Sequence, residues 1–476
     1  MPHICILVVK KLGAALLDLP IWPSVKCRSA QKIGKAMSNL IRTVTFGLNI
    51  NVDAPERSAT RIEHLVNRSP ALLSEHGIDA RCLRLACQPP DCIYYSAEAP
   101  RRALALAKAM EDILGGRAWF CLPGPHYRSA AMPVDALAAV PEVIAGTQNV
   151  FTHTLVSSPA GVHRGAIRKA GEIIAKLARV HEHSLSNFRF TVMANVPPNT
   201  PYFPAAYHAG ADGFSIALEL AELMNRCFRQ GGLINEKLLD FQRQAERYVE
   251  TVVNFAEHLA GDEGLEFKGI DFSLAPFPGE ETSAVRAVER LNNTRIGNYD
   301  FLFSLYAINN LLKQAFARYR QVGFNGTMLS VLEDTWLARR LCEGAFEVKD
   351  LLLYACVCGC GLDMVPLQME TSPAQLSSLV EAISAQAMKW NKPLTARMLP
   401  SAVNADGMTR LAHDFLVNTT PVQLRSRDFA TQTDTASFFE PVGVAQDRAT
   451  GEFEHATANL LSIAREPSTD LLSCRG

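Results

Sequence analysis

Between Arg42 and Val196 the sequence alternates short apolar runs with longer stretches whose apolar residues recur at helical spacing. Strands are expected at Arg42–Asn51, Cys82–Cys87, Trp119–Leu122, Val150–Val156 and Phe188–Val196. Helices are expected between them, at 55–77, 100–114, 134–145 and 165–181. Strands separated by helices of this length imply βαβ units and a mainly parallel sheet. Helices on both faces of such a sheet account for strands that are apolar along nearly their whole length.

From Ile216 to Ala260 the pattern reads as helical throughout. Leu238, Phe241, Ala245, Tyr248, Val252, Phe255 and Leu259 form one stripe, with Glu246, Arg247, Glu250 and Glu257 off it, which is the signature of a helix packed on a core. Phe267–Leu274 returns to strand character, helices follow at 283–291, 301–319 and 377–390, and Lys392–Leu399 is the last expected strand.

The chain has 476 residues, with 47 Lys plus Arg against 48 Asp plus Glu. That balance supplies no basic field for nucleic acid and no polybasic membrane patch. No apolar run approaches the roughly 20 residues of a bilayer-crossing helix. The 12 cysteines are scattered apart from one cluster, which points to unpaired thiols in a reducing, cytoplasmic compartment.

Three regions are expected. Residues 1–36 form a basic, acid-poor extension, either non-folded, a start-site artefact ahead of Met37, or a mitochondrial transit peptide. Residues 37–424 form a single α/β domain, and 425–476 a weakly structured tail in which Phe438, Phe439 and 460–463 are the apolar islands.

The chemistry centres on Leu351–Leu367, where Cys356, Cys358 and Cys360 sit among Gly359 and Gly361. Glycines let the backbone turn sharply and approach a ligand, and thiols on such a turn are candidate nucleophiles. The alternative is that the cysteines are small buried hydrophobes. Polar or Pro/Gly-rich connections follow five strands, at 49–51, 123–126, 157–161, 195–200 and 271–279. Strand ends of this kind carry the site in many α/β folds. His208 lies near Asp212 on a Pro/Gly-rich segment and is a candidate general base. Arg397 lies inside an apolar strand, where it needs either an internal ion pair or an anionic ligand. Glu333 and Asp334 could bind a divalent cation, but capping of the following helix is the preferred reading.

Several signatures are absent: a Walker-type loop, Gly-x-Gly-x-x-Gly at the first strand–helix turn, Gly-x-Ser-x-Gly and His-Glu-x-x-His. The Cys-x-Cys-x-Cys spacing is too tight for one tetrahedral zinc.

Four separated motifs carry a resemblance: Asn195-Val-Pro-Pro-Asn-Thr-Pro-Tyr-Phe-Pro-Ala-Ala-Tyr-His208, Lys268-Gly-Ile-Asp-Phe-Ser-Leu-Ala-Pro276, Val357-Cys-Gly-Cys-Gly-Leu-Asp-Met-Val-Pro366 and Lys392-Pro-Leu-Thr-Ala-Arg-Met-Leu-Pro400. Together with Lys169-Ala-Gly-Glu-Ile-Ile174 they resemble domain-of-unknown-function family 711, in order, from about Ile41 to about Leu424. The resemblance implies an α/β barrel of the pyruvate formate-lyase type, with a cysteine turn projecting inward. The Arg-Val-x-Gly-Tyr-like loop of glycyl-radical enzymes has no counterpart in this tail, so the implied barrel is non-radical. Cys360 stands where relatives carry Thr, and Gln368-Met-Glu370 replaces a common Pro-Gly-Asp.

The leading expectation is an enzyme acting on a small polar metabolite. Cys358, His208 and Asp363 are its catalytic candidates, and Arg397, Asp271, Ser273 and Asn195 bind substrate. The cofactor is left open, as is homo-oligomerisation. The rivals are a non-catalytic metabolite-binding or regulatory protein and a divalent-metal hydrolase using Asp271, Glu333 and Asp334.

Overall fold

Among the described residues eleven strands make one sheet: β1 (Asn39–Leu48), β2 (Ile78–Cys87), β3 (Trp119–His126), β4 (Val150–Ser158), β5 (Gly161–His163), β6 (Phe190–Ala194), β7 (Gly213–Leu218), β8 (Glu266–Asp271), β9 (Gly361–Gln368), β10 (Leu394–Ser401) and β11 (Phe438–Phe439). The computed structural model describes residues 39–181, 185–424 and 438–439. These all fall in the unit Met1–Glu440. The extension expected at 1–36 lies outside the described residues, as does most of the 425–476 tail.

The strand order is β8-β7-β1-β2-β3-β4-β6-β10-β9. Strands β1, β2, β3, β4 and β6 run parallel to one another, while β7 and β10 pair antiparallel to β1 and β6 at the two flanks. Beyond them β8 is parallel to β7 and β9 to β10. Two isolated parallel bridges, Leu274 to Thr327 and Ser330 to Asp363, bring the chain around 327–330 against both the continuation of β8 and β9. One connecting segment therefore touches both ends of the strand row.

Helices alternate with the strands, and local chemistry sets their limits. The helix Ala99–Leu114 starts with Pro100 in its first turn and stops at Gly115, whose φ is 53°. Proline is pre-organised at a helix start, and glycine takes the left-handed stop without strain. The helix Pro373–Trp390 opens on a capping box, Ser372 with Gln375, and ends at the left-handed Asn391. The 30-residue helix Ile234–Glu263 buries Phe241, Ala245, Tyr248, Val252, Phe255 and Leu259, the stripe expected from the sequence. A fully buried side chain such as Phe255 contributes about 1.5–3 kcal/mol. No helix among the described residues is long and apolar enough to cross a membrane.

The expectation of an unbroken helical region from Ile216 is corrected. Gly213–Leu218 is strand β7, fully buried, and two helices follow, Ala221–Phe228 and Ile234–Glu263. Six residues of Phe-Ser-Ile-Ala-Leu character running into an amphipathic stripe satisfy the helical period by accident, and pairing to β1 and β8 decides the outcome. β9 also went unexpected. Pro366 interrupts it and Met364 has φ 50°, and both weaken the strand signal. In the tail, Phe438 and Phe439 pair with His163 and Val162.

Candidate functional site

A cavity among the described residues encloses roughly 600 Å³ of empty space, part of it open to solvent. Strand residues Arg42, Arg84, Trp119, Phe151, Thr191, Asp363, Thr395 and Arg397 contribute to its walls. Cys360, Ser330 and Glu333 join them from the connections around β9. Tyr202, Phe203, Phe324 and Phe415 add an aromatic lining. Arg42, Trp119 and Phe151 stand near the beginnings of their strands. Of the five connections expected to supply a mouth, only 271–279 reaches this cavity, through Ala275 and Pro276.

The charged lining is a ladder of ion pairs. Arg397 donates from Nε to Asp363 Oδ1 at 2.7 Å and from Nη2 to Asp363 Oδ2 at 3.0 Å. Its Nη2 also reaches Glu333 Oε1 at 2.8 Å. Glu333 Oε2 accepts from Arg42 Nη2 at 2.7 Å, and Arg42 Nη1 continues to Glu219 and to the carbonyl of Pro276. Arg81 closes the ladder on both oxygens of Glu219. Burial works against the charge on Arg397, but Asp363 and Glu333 more than offset it and hold its pKa above the ordinary value.

Arg84 is different. It is buried, donates from Nε to Cys82 Sγ at 3.2 Å and from Nη1 to the Pro201 carbonyl at 3.4 Å, and lies within 5.5 Å of the Trp119 ring centroid and 5.0 Å of that of Phe203.

The cysteine turn is set by contacts that only glycine permits. A Cβ on Gly359 would lie 2.8 Å from the Gly326 backbone, and one on Gly326 would lie 2.8 Å from Gly359 Cα. Gly359 N–H donates to the Thr327 carbonyl at 2.7 Å, and Thr395 donates to the Cys360 carbonyl from both N–H and Oγ1. Lys392 Nζ donates to the carbonyls of Ala355 and Cys358 at 2.9 and 2.5 Å. Both Cys358 and Cys360 are buried, but Cys360 lines the cavity and Cys358 lies behind it. The neighbouring Cys360 thiol, with Lys392 nearby, holds Cys358 below the ordinary thiol range against the opposing effect of burial. Cys358, burial and Asp363 push Cys360 up. The pair therefore shares one readily lost proton.

The other expected site residues separate. Asp363, Arg397 and Glu333 meet in the cavity. Asp334 accepts from the N–H groups of Trp336 and Leu337 at 3.0 Å and caps the helix Thr335–Cys342. Asp271 accepts from Ser273 N–H and Oγ, Phe324 N–H and Asn325 N–H, and burial raises its pKa to about 6. Asp271 and Ser273 thus fasten the 323–326 turn that delivers Phe324 to the cavity wall. Asn195 donates to Asn391 Oδ1 away from the cavity.

His208 also lies elsewhere. Its ring nitrogens are 3.2 Å from Asn199 Oδ1 and 3.1 Å from the Gly210 carbonyl, packed under Gly47. Asp212 accepts from Asn49 N–H and Nδ2. Burial, with Lys268 nearby, lowers the His208 pKa. Among the described residues no group of three or more His, Cys, Asp or Glu side chains is placed to hold a metal.

Arg42, Arg84, Thr191 and Ser330 were not anticipated. The argument that flagged Arg397, an arginine within an apolar strand, applies equally to Arg42 and Arg84 and would have found them. Thr191 and Ser330 carry no such signal.

These observations define an α/β protein whose mostly parallel sheet carries a cavity lined by arginines, aromatic rings and a thiol. Within that class the chain belongs to the family described as Uncharacterised ACR (DUF711), whose model matches residues 35–409. It is similar to the UPF0210 protein of Pyrobaculum arsenaticum, 26% identical over 343 residues that cover 69% of this chain and 75% of that protein. It is also similar to the UPF0210 protein of Methanococcus aeolicus, 23% identical over 76% of this chain and 85% of the relative. The UPF0210 protein of Acetivibrio thermocellus is 24% identical over the same shares.

Proposed function

We propose that the sheet is a barrel of the pyruvate formate-lyase type and that the chain is a non-radical enzyme acting on a small polar metabolite in its cavity. The barrel reading is supported by two sets of parallel strands that meet antiparallel at β1–β7 and β6–β10, with the 327–330 segment bridging the remaining ends. A reducing compartment such as the cytoplasm is the setting this thiol chemistry requires.

The catalytic reading is carried by one observation: Cys360 lines the cavity, and Cys358, two residues before it on the same glycine-bounded turn, is buried outside that lining. In this scheme the more acidic Cys358 is the resting thiolate and Cys360 keeps its proton. When a ligand arrives, the proton passes to Cys358 and the cavity-facing Cys360 becomes the thiolate that attacks the ligand or takes its proton. Cys358 is thus a positioning base in this scheme, and Asp363 sets the electrostatics beside it. Iodoacetamide labelling against pH, with mass-spectrometric assignment of the modified cysteine, tests this. The expected result is alkylation of Cys360 with an inflection below the ordinary thiol range, moving toward that range in Cys358→Ala. Full turnover in Cys360→Ala overturns the scheme.

A second reading, a metabolite-binding protein without turnover, is favoured by the ion-pair ladder, which leaves Arg42, Glu333, Arg397 and Asp363 occupied by one another. A metabolite that stabilises the protein in a thermal-shift screen yet is recovered unchanged by mass spectrometry supports it. Against a metal hydrolase, Asp271, Glu333 and Asp334 serve a turn, two arginines and a helix cap.

A further inference from the structure

We infer that the cavity takes a small monocarboxylic acid with a flat apolar body, its carboxylate on Arg84 and a further oxygen on Thr191 and Ser330. The inference rests on the reading of this cavity as a metabolite site and names the ligand class.

The lining charges are three arginines (Arg42, Arg84, Arg397) and two carboxylates (Glu333, Asp363). Arg42 and Arg397 share those carboxylates. Arg84 has no carboxylate within ion-pair distance among the described residues, and its Nη2 meets no protein acceptor there. A guanidinium buried without a counter-charge is costly, so an anion that enters gains both the Coulomb attraction and the unfilled donor. Among the guanidinium and carboxylate groups of the lining one positive charge is in excess, which suits one carboxylate better than a dianionic phosphate.

Two more groups point the same way. Thr191 Oγ1 and Ser330 Oγ are buried, line the cavity and have no hydrogen-bond partner. Buried hydroxyls are nearly always satisfied in native proteins, so this pair marks places where a ligand oxygen belongs. Much of the remaining wall is aromatic: Trp119, Phe188 and Phe203 each pack against Phe151 with centroids 5.0–5.5 Å apart. Rings in that arrangement receive a flat apolar body.

Isothermal titration of the full chain with benzoate, 4-hydroxybenzoate, benzamide and phenyl phosphate tests the assignment. Benzoate or its hydroxylated relative is expected to bind, and benzamide, which keeps the shape without the charge, at least about tenfold more weakly. Arg84→Gln is expected to erase that preference. Because Arg84 is buried and its loss can unfold the chain, Thr191→Val and Ser330→Ala supply a second arm: each should lower the advantage of 4-hydroxybenzoate over benzoate while leaving benzoate affinity within about twofold. Benzamide binding as well as benzoate, phenyl phosphate outcompeting both, unchanged affinities in all three variants, or no carboxylate binding tighter than about 1 mM each overturn the inference. The enzymatic reading fails separately: a carboxylate that binds and is never consumed removes turnover and keeps the ligand class, whereas turnover of a neutral substrate does the reverse.

Discussion

Arg397 on β10 holds Asp363 on β9 through two nearly parallel hydrogen bonds, 2.7 and 3.0 Å long, and both side chains are almost fully withdrawn from water. The pair ties two neighbouring parallel strands together directly in the cavity wall. Through Glu333 it joins Arg42 on β1, so strands from distant parts of the sheet meet in one charged ladder.

Breaking this pair on one side leaves a buried charge. Asp363→Ala is expected to lower stability by about 3–5 kcal/mol, read as a fall in the urea midpoint. The double variant Asp363→Leu with Arg397→Met should cost less than the two single losses combined, because neither charge is then stranded. A single-variant loss under about 1 kcal/mol would show that the ladder does not depend on this pair.

Gly359 and Gly326 make the second prediction. Their backbones touch where any Cβ would collide at 2.8 Å. The obstacle is main chain on both sides, so Gly359→Ala must displace the turn that presents Cys360. A loss of about 1–3 kcal/mol is expected, together with a changed Cys360 alkylation rate. Gly77 has nothing within 4 Å of a Cβ, but its φ of 64° makes Ala there a test of backbone strain alone. Equal effects on Cys360 labelling from both substitutions would sever the link between the glycine contact and the thiol.

Acid sensitivity follows from a buried histidine pair. His126 and His153 face each other at 3.0 Å between ring nitrogens. Burial lowers both pKa values, that of His153 to about 4 despite its hydrogen bond to the Pro204 carbonyl. In the unfolded chain such a histidine binds a proton near pH 6.5, whereas the folded protein resists binding until about 4. The unfolded state therefore holds more protons in that window, and stability falls as pH drops through it. Urea unfolding at pH 7 and pH 5 should show the loss, and His153→Gln should flatten it. An unchanged slope in the variant would assign the acid sensitivity elsewhere.

Legibility in the sequence followed the range of the forces involved. β1–β4, β6, β8 and β10 were readable because each carries its own apolar run, and the helix Ile234–Glu263 because its stripe repeats over many turns. β7 and β9 were not, since one is short and abuts a helix and the other contains Pro366. Within the site, the cysteine–glycine turn, Asp363, Arg397 and Glu333 stood out as residue types in unusual surroundings. His208 stood out for the same reason and lies outside the cavity, because sequence proximity to Asp212 carries no information about where Gly47 and Asn199 hold the ring.

The sequence by itself determined the alternation of strand and helix, the family and the location of the thiol-bearing turn, because each of these is encoded within a few residues of itself. Which thiol faces the cavity, which arginine lacks a carboxylate, and which hydroxyls go unsatisfied were decided only by tertiary structure. Arg42 and Arg397 stand 355 positions apart in the chain yet share the carboxylate of Glu333, and Arg84 is left over only because that sharing uses up the acids. A surplus of charge is a property of the assembled wall, and no local pattern in the chain can carry it.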